Sequence, residues 1–112
     1  MKISTHILDL VLGKPAIGVA VRLEKQEQSG WRLLASQRTD RDGRCGQLLP
    51  SGADLAAGFY RLAFDTGGYY EAQRVAPLYP VVEVTFQVRD GETDFHVPVL
   101  LSPNGYTTYR GS

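Results

Sequence analysis

Alternation of apolar and polar residues dominates the chain and predicts a series of short β-strands. The clearest example is the segment 81–89, where valines and one phenylalanine alternate with polar residues. Hairpin signals, such as the polar stretch 26–30 and the Asp90-Gly91 pair, separate neighbouring segments. The pattern predicts strands over 5–12, 19–24, 31–39, 58–65, 81–89, 95–101 and 106–109.

The alternation also assigns each strand two different faces. The strand 95–101 has four apolar residues on one face and His96 on the other. The strand 5–12 carries His6 near its start, on the face opposite to Ile7. A side chain at the start of a strand can reach the rim of a cleft, so both imidazoles are candidates for chemistry.

The spacing of the predicted strands indicates the fold class. Seven or eight short strands, with turns every eight to a dozen residues, are typical of an all-β, two-sheet antiparallel sandwich. One short helix is predicted over 69–75, and the weaker segment 48–57 fits a short strand or a helical turn. At 112 residues the chain is expected to form a single domain over 1–112.

Charge and composition narrow the function classes. Twelve basic and twelve acidic side chains cancel, which argues against nucleic acid or an anionic membrane as a partner. No apolar run approaches the length of a membrane span. The single cysteine, Cys45, and the absence of a signal-like apolar stretch at 1–6 predict a cytoplasmic protein. A net charge near zero does little to oppose self-association.

The chain has two histidines, and two interpretations of them remain open. Each could be a hydrogen-bonded structural residue on its strand. Alternatively, His6 and His96 converge on one cleft and bind a metal or shuttle protons, since the first and the penultimate strand often lie close in a sandwich. Arg44 is either a solvated loop residue or a fixed cation at the mouth of such a cleft. Tyr109 and Arg110 have the same two interpretations.

Several other site types are disfavoured by residue spacing. A zinc site needs three or four suitably spaced ligands, and His6, His96 and Cys45, with no HxH or CxxC spacing, leave such a site underdetermined. The run from Asp40 to Gly43 lacks the third acidic ligand and the closing Glu of a calcium loop, so it is interpreted as a turn. Cys45 has no base beside it in the sequence and is expected to be a small buried hydrophobe. Gly67-Gly68 has neither the spacing nor the Lys of a phosphate loop.

Four motifs, in order along the chain, carry a family resemblance. They are THILDL at 5–10, RTDRDGR at 38–44, HVPVLLSP at 96–103 and GYTTYRGS at 105–112. With these motifs the sequence resembles the 5-hydroxyisourate hydrolases, the transthyretin-related enzymes of urate breakdown. The resemblance covers Ser4 to Ser112, and YRGS is the hallmark of that family. Val99 stands where family members often carry Leu, which touches no reacting group.

The resemblance implies a function, an assembly and a set of site residues. It implies a transthyretin-like sandwich that forms a homotetramer, with sites in clefts between dimers and with no cofactor or metal. It implies hydrolysis of the cyclic amide of 5-hydroxyisourate, in which His6 and His96 position and deprotonate water. Which histidine is the base stays open. The site residues it implies are catalytic His6, His96 and Arg44, and substrate-binding His6, Arg44, Tyr109, Arg110 and Ser112, with Gly111 between the last two.

Two further functions remain as alternatives to an enzyme. One is a transthyretin-like carrier that binds a small aromatic molecule in a channel between subunits. The other is an adhesion or scaffold sandwich without a ligand. A carrier channel would be lined by apolar and small residues, whereas two histidines, an arginine and a Tyr-Arg pair favour a reactive site.

Overall fold

The computed structural model describes residues 2–50, 53 and 56–112. These residues form nine β-strands and one short helix, which confirms the predicted all-β fold class. The strands are β1 (Lys2–Asp9), β2 (Lys14–Pro15), β3 (Ala20–Glu27), β4 (Gly30–Arg38), β5 (Arg44–Cys45), β6 (Gly58–Phe64), β7 (Val82–Val88), β8 (Asp94–Ser102) and β9 (Gly105–Thr108), and the helix is α1 (Thr66–Glu71).

The strands form the two sheets of a sandwich. One sheet has the order β2-β1-β8-β9, with β5 also paired to β1, and the other has the order β4-β3-β6-β7. β1 and β8 run parallel, with Lys2 beside Asp94 and Asp9 beside Leu101. The other described ladders are antiparallel, as predicted. The parallel pair is a departure that arises because β1 and β8 are far apart in sequence, so no hairpin sets their relative direction.

The core lies between the sheets and consists of the apolar faces that alternation predicted. Val21 and Leu23 on β3, and Leu62 and Phe64 on β6, have no exposed surface. Ile3 and Ile7 of β1 and the inner face of β8 complete the opposite wall of this core. The inner face of β8 consists of Phe95, Val97, Val99 and Leu101. Side chains of β1 and β8 that alternate with these residues therefore face outward.

Strand β7 departs from its predicted burial. Val82 and Val88 are buried at its two ends, whereas Val84 and Phe86 are only half-buried. β7 is the edge of its sheet, and the facing edge strand β9 is only four residues long. The short β9 leaves the middle of β7 incompletely covered.

The first strand lies three residues earlier than the pattern predicts. It spans Lys2–Asp9 rather than 5–12. The carboxylate of Asp9 ends it, because Oδ1 accepts hydrogen bonds from the backbone N–H groups of Val11 (2.9 Å) and Leu12 (3.0 Å). Residues 10–12 therefore turn away from the sheet, and their apolar side chains are exposed.

The helix is also displaced from its predicted position. It spans Thr66–Glu71, whereas the sequence predicts 69–75. Asp65 is its N-cap, and its carboxylate accepts from the N–H of Gly68 at 3.0 Å. Arg74 has a left-handed φ of 57°, which is incompatible with a helix that continues to Val75.

The weakly patterned segment 48–57 is only partly described. Leu48 and Leu49 are buried in the core, and the N–H of Leu48 donates to the carbonyl of Ile3 at 2.8 Å. Neither residue belongs to a strand or a helix. The rest of that prediction falls largely on residues 51, 52, 54 and 55, which lie outside the described residues.

Candidate functional site

The predicted site residues lie on the outer face of the five-stranded sheet. The register of β1 and β8 places Ser4 beside His96 and His6 beside Pro98. On the other side of β1, Arg44 of β5 lies beside His6. The inner faces of β1 and β8 are in the core, so the side chains of Ser4, His6 and His96 face outward together.

A cleft of about 380 Å³ opens over this face. Three of the predicted site residues line it: Arg44, His96 and Ser112. Ser4 and Lys2 line it as well, although sequence reasoning did not select them as site residues. The full lining is Lys2, Ser4, Thr5, Arg44, Gly46, Asp94, Phe95, His96, Gly111 and Ser112.

His96 is held in a defined orientation and kept neutral. Its Nδ1 lies 2.8 Å from the hydroxyl oxygen of Ser4, so one ring nitrogen is bound and the opposite one, Nε2, is left for other partners. Burial, followed by the positive charges of Arg44, His6 and Lys2, lowers the pKa of His96 below its ordinary value of 6.5. An imidazole with a lowered pKa is neutral at pH 7 and can accept a proton.

His6 has a different environment from His96. Its Nε2 lies 2.9 Å from the carbonyl oxygen of Asp42. A carbonyl can only accept, so Nε2 of His6 carries the hydrogen and donates it. His6 is adjacent to the cleft and close enough for its charge to lower the pKa of His96. The structure therefore brings the two histidines to one face but ties His6 to the loop that carries Arg44.

That loop is a tight turn built by Asp40 and Gly43. The carboxylate of Asp40 accepts from the N–H groups of Asp42 (2.9 Å) and Arg44 (3.0 Å). These two bonds, that from Arg44 first, lower the pKa of the Asp40 carboxyl. Gly43 has a φ of +75°, and its carbonyl accepts from the N–H of Ile7 at 2.8 Å. The turn interpretation of this motif is confirmed, and the turn fixes the backbone of Arg44 against β1.

The C-terminal tail passes directly over His96. The N–H of Gly111 donates to the carbonyl of His96 at 2.7 Å, and the two residues form an antiparallel bridge. A Cβ at position 111 would lie 2.5 Å from Cδ2 of His96 and 3.1 Å from Cγ of Pro98. Only glycine fits this close approach, which brings Ser112 to the cleft.

The other two predicted tail residues lie away from the cleft of their own protomer. Tyr109 is 55% exposed and, with Arg110, lines a separate cavity of about 190 Å³ between the sheet edges. The guanidinium of Arg110 is 3.1 Å from the carboxylate of Glu92. The structure thus groups Arg44, His96 and Ser112, places His6 beside them, and does not bring Tyr109 and Arg110 into the same cleft.

Cys45 matches its sequence interpretation as a small buried residue. It is 2% exposed, and burial, followed by the charge of Asp40, raises the pKa of its thiol to about 11. A thiol with so high a pKa is a poor nucleophile at neutral pH. Among the residues that the structure describes, no three His, Cys, Asp or Glu side chains are grouped as a metal site requires.

Ser4 is the residue that sequence reasoning missed despite an available signal. Alternation along β1 places Ser4 on the same face as His6, so a hydroxyl on the reactive face was visible in the pattern. Its contact with His96, 92 residues away, depends on the parallel pairing of β1 and β8 and was not visible. Ser4 directly precedes the predicted strand 5–12, so one more residue of alternation would have included it, whereas Lys2 lies three residues before that strand and gave no signal.

The fold and the cleft define a transthyretin-type β-sandwich with imidazole and guanidinium groups on its outer sheet face. Residues 3–111 match the HIUase/Transthyretin family, and the chain belongs to that family. This confirms the resemblance that the four motifs indicated.

Known relatives agree with this assignment. The chain is 46% identical over 110 residues to a 5-hydroxyisourate hydrolase of Salmonella dublin, covering 98% of this chain and 80% of the relative. The structure of Klebsiella pneumoniae 5-hydroxyisourate hydrolase has a TM-score of 0.87 and 36% identity, with all of both chains covered. Transthyretin from Sparus aurata has a TM-score of 0.89 and 34% identity, covering 98% of this chain and 96% of that one.

Proposed function

We propose that this protein is an enzyme that hydrolyses 5-hydroxyisourate to 2-oxo-4-hydroxy-4-carboxy-5-ureidoimidazoline in urate degradation. The observation that carries the proposal is a neutral, oriented His96 in the same cleft as Arg44. The relatives named 5-hydroxyisourate hydrolase support the choice of substrate. The cleft volume of about 380 Å³ is within the range of small-molecule sites.

The reaction needs a base, an oxyanion stabiliser and groups that orient a flat polar ring. In the proposed mechanism, Nε2 of His96 takes a proton from water as the water oxygen bonds to the amide-like carbonyl carbon. Arg44 stabilises the negative charge that develops on the carbonyl oxygen. The ring C–N bond then breaks, and the imidazolium of His96 returns the proton to the leaving nitrogen.

This assignment of the base to His96 requires one tautomer. If Nε2 is to accept a proton, Nδ1 must carry hydrogen and donate it to the hydroxyl oxygen of Ser4, which is 2.8 Å away. His6, whose Nε2 donates to the Asp42 carbonyl, would hold the Arg44 loop. Ser112 would close the cleft over the substrate. The roles of Tyr109 and Arg110 as substrate ligands stay predictions.

The experiment is an absorbance assay with freshly generated 5-hydroxyisourate, whose decay is compared with and without the protein. His96→Gln should lower the catalysed rate at least about 100-fold, which is the lower end of general-base contributions. Arg44→Gln should also lower it, whereas Arg32→Gln is the matched control, since Arg32 lies on β4 of the opposite sheet and pairs there with Glu27 at the end of β3. Circular dichroism checks that each variant keeps its fold.

Two results would contradict the proposal. The first is no acceleration by the native protein, and the second is full activity in His96→Gln. The alternative is a carrier without catalysis, which the likeness to transthyretin favours. Saturable binding of 5-hydroxyisourate without turnover would support that alternative instead.

The homotetramer is proposed from exposed apolar surface. Leu10, Val11 and Leu12 are each more than half exposed, in the turn that follows β1. The edge strands β7 and β9 line one shared cavity and so lie on the same side of the sandwich, where a second copy can add strands to both sheets. In such an assembly Tyr109 could meet substrate bound by another protomer.

The remaining partner and location assignments stay predictions. In the part of the chain that the structure describes, no helix is long and apolar enough to cross a membrane. We expect no nucleic-acid partner and a cytoplasmic location. We also expect turnover without cofactor or metal, so treatment with a chelator should leave the rate unchanged.

A further inference from the structure

We propose that Arg110 is a positioning residue that clamps the C-terminal tail through Glu92, so that Gly111 and Ser112 are held over His96. This inference rests on the proposed function and assigns to Arg110 a different task from contact with substrate. The observation behind it is that the charged end of Arg110 is occupied on the side of the sheet edge away from the cleft.

Three contacts fix the guanidinium of Arg110. Nη1 donates to Oε2 of Glu92 at 3.1 Å, and Nη2 donates to the backbone carbonyl of Asp94 at 3.2 Å. The face of the guanidinium lies over the ring of Phe95, 4.5 Å from its centroid. The Arg110 side chain is 59% exposed, and two charge-assisted hydrogen bonds and the stacked ring hold its guanidinium at this edge rather than in the cleft.

Glu92 is itself anchored and so is a suitable partner. Its Oε1 accepts from the backbone N–H of Arg89 at 3.0 Å. That bond, followed by the bond from Arg110, lowers the pKa of the Glu92 carboxyl, which is ionised at neutral pH. Glu92 lies in the turn between β7 and β8, so the clamp joins the tail to the start of β8.

The next residue of the tail shows why the clamp matters for His96. Gly111 bonds to the His96 carbonyl, and its α-carbon packs so closely on the ring that no Cβ fits. Successive residues of an extended chain face opposite sides, so holding Arg110 on the inner side keeps Gly111 against the outer face. A tail that detached at Arg110 would carry Ser112 out of the cleft and expose the His96 ring to water.

The clamp and a direct substrate contact make opposite predictions for Glu92. If Arg110 clamps the tail, Glu92→Gln removes the charged partner and lowers activity much as Arg110→Gln does. If Arg110 instead binds substrate, Glu92→Gln frees the guanidinium, and activity stays the same or rises. The side chain of Glu92 does not line the cleft, so its replacement removes no group from the cleft wall.

The experiment is a double-mutant cycle on kcat/KM with Arg110→Gln, Glu92→Gln and both together. We expect each single variant to lose about fivefold to tenfold and the double variant to lose no more than the worse single. The charge-swapped pair, Arg110→Glu with Glu92→Arg, should recover part of the loss. The matched control is the exposed pair Arg32 and Glu27, 2.6 Å apart on the other sheet, whose Gln variants should leave kcat/KM unchanged.

A second readout does not depend on turnover. Hydrogen exchange of the Gly111 amide, measured by NMR, should become at least about fivefold faster in Arg110→Gln and in Glu92→Gln, together with a shift of the His96 ring signals. Native Gly111 protection in both variants would overturn the clamp. Native activity in Glu92→Gln with a loss in Arg110→Gln would also overturn it, in favour of substrate contact. If the protein turns over no 5-hydroxyisourate, the exchange rates still decide.

Discussion

The two histidines have different hydrogen-bond partners, and these partners give the two imidazoles different roles. His6 donates from Nε2 to the Asp42 carbonyl, and His96 uses Nδ1 for Ser4. Sequence alone placed both histidines on strand faces, which is correct. It could not separate their roles, because the deciding partners lie 36 residues from His6 and 92 residues from His96. A ring nitrogen's partner is a property of the folded chain.

The lowered pKa of His96 leads to a prediction for the pH dependence. Only neutral His96 can act as the base, so kcat/KM should fall as the pH drops through its pKa, which lies below 6.5. Lys2→Gln removes one cation that disfavours the imidazolium, so the pKa should rise and the acid limb should move to higher pH. Rate profiles and an NMR titration of the His96 ring measure both quantities.

A lysine on the opposite sheet provides the control for that shift. Lys25 lies 5.7 Å from the ring centroid of Tyr60, and Lys25→Gln should leave the profile unmoved. An acid limb in Lys2→Gln at the same pH as in the native protein, or at lower pH, would show that this cation does not act on the base.

At the scale of elements, alternation predicted the strands better than their ends. The predicted inner faces of β3, β6 and β8 are correct. Each of these strands pairs with a neighbour on both sides within its sheet, and one face of each packs against the core. The ends of β1 and α1 were displaced because carboxylates of Asp9 and Asp65 capture nearby N–H groups. Such captures depend on local geometry that periodicity does not report.

In the turn that carries Arg44, Gly43 is required both by its positive φ and by a close backbone contact. At Gly43, alanine would adopt an unfavourable φ of +75°, and its Cβ would lie 2.5 Å from the Ile7 carbonyl oxygen. We expect Gly43→Ala to lower the free energy of unfolding by about 3 kcal/mol and to lower activity, because β5 must shift. Urea unfolding at fixed protein concentration measures this.

Gly13→Ala separates the energetic cost of the positive φ from the cost of the close approach to Ile7. Gly13 has a similar φ of +66°, but nothing lies within 4 Å of a Cβ there. It should cost only about 1 kcal/mol, the backbone contribution alone. Equal losses in both variants would mean that the close approach to Ile7 has no energetic consequence.

For the whole molecule, the largest departure from a self-contained sandwich is its exposed apolar surface. Val11 is 68% exposed, and Leu10 and Leu12 flank it, so burial by another protomer would remove apolar area from water. The sequence did not predict this exposure, because it interpreted these residues as the end of a strand. These side chains are exposed because the Asp9 carboxylate accepts hydrogen bonds from the N–H groups of Val11 and Leu12 and so turns the chain away from the sheet.

Val11→Asp should therefore weaken the proposed tetramer. A carboxylate in an apolar contact is costly to desolvate, so sedimentation analysis should show a shift to smaller species at the same protein concentration. Leu33→Asp is the control, because Leu33 is 55% exposed on β4 of the other sheet. Unchanged sedimentation of Val11→Asp, or equal dissociation in both variants, would argue against this surface as the contact.

The parallel pairing of β1 with β8 has a consequence for synthesis on the ribosome. β1 is synthesised before β8, and its partner strand follows only after about ninety further residues, which at typical elongation rates takes roughly 5–20 s. During that interval one flank of a nascent strand has open hydrogen-bonding groups and can pair with the wrong chain. Co-expression of a ribosome-associated chaperone that shields β1 should therefore increase the soluble yield of this protein, and an unchanged soluble fraction would argue against this exposure.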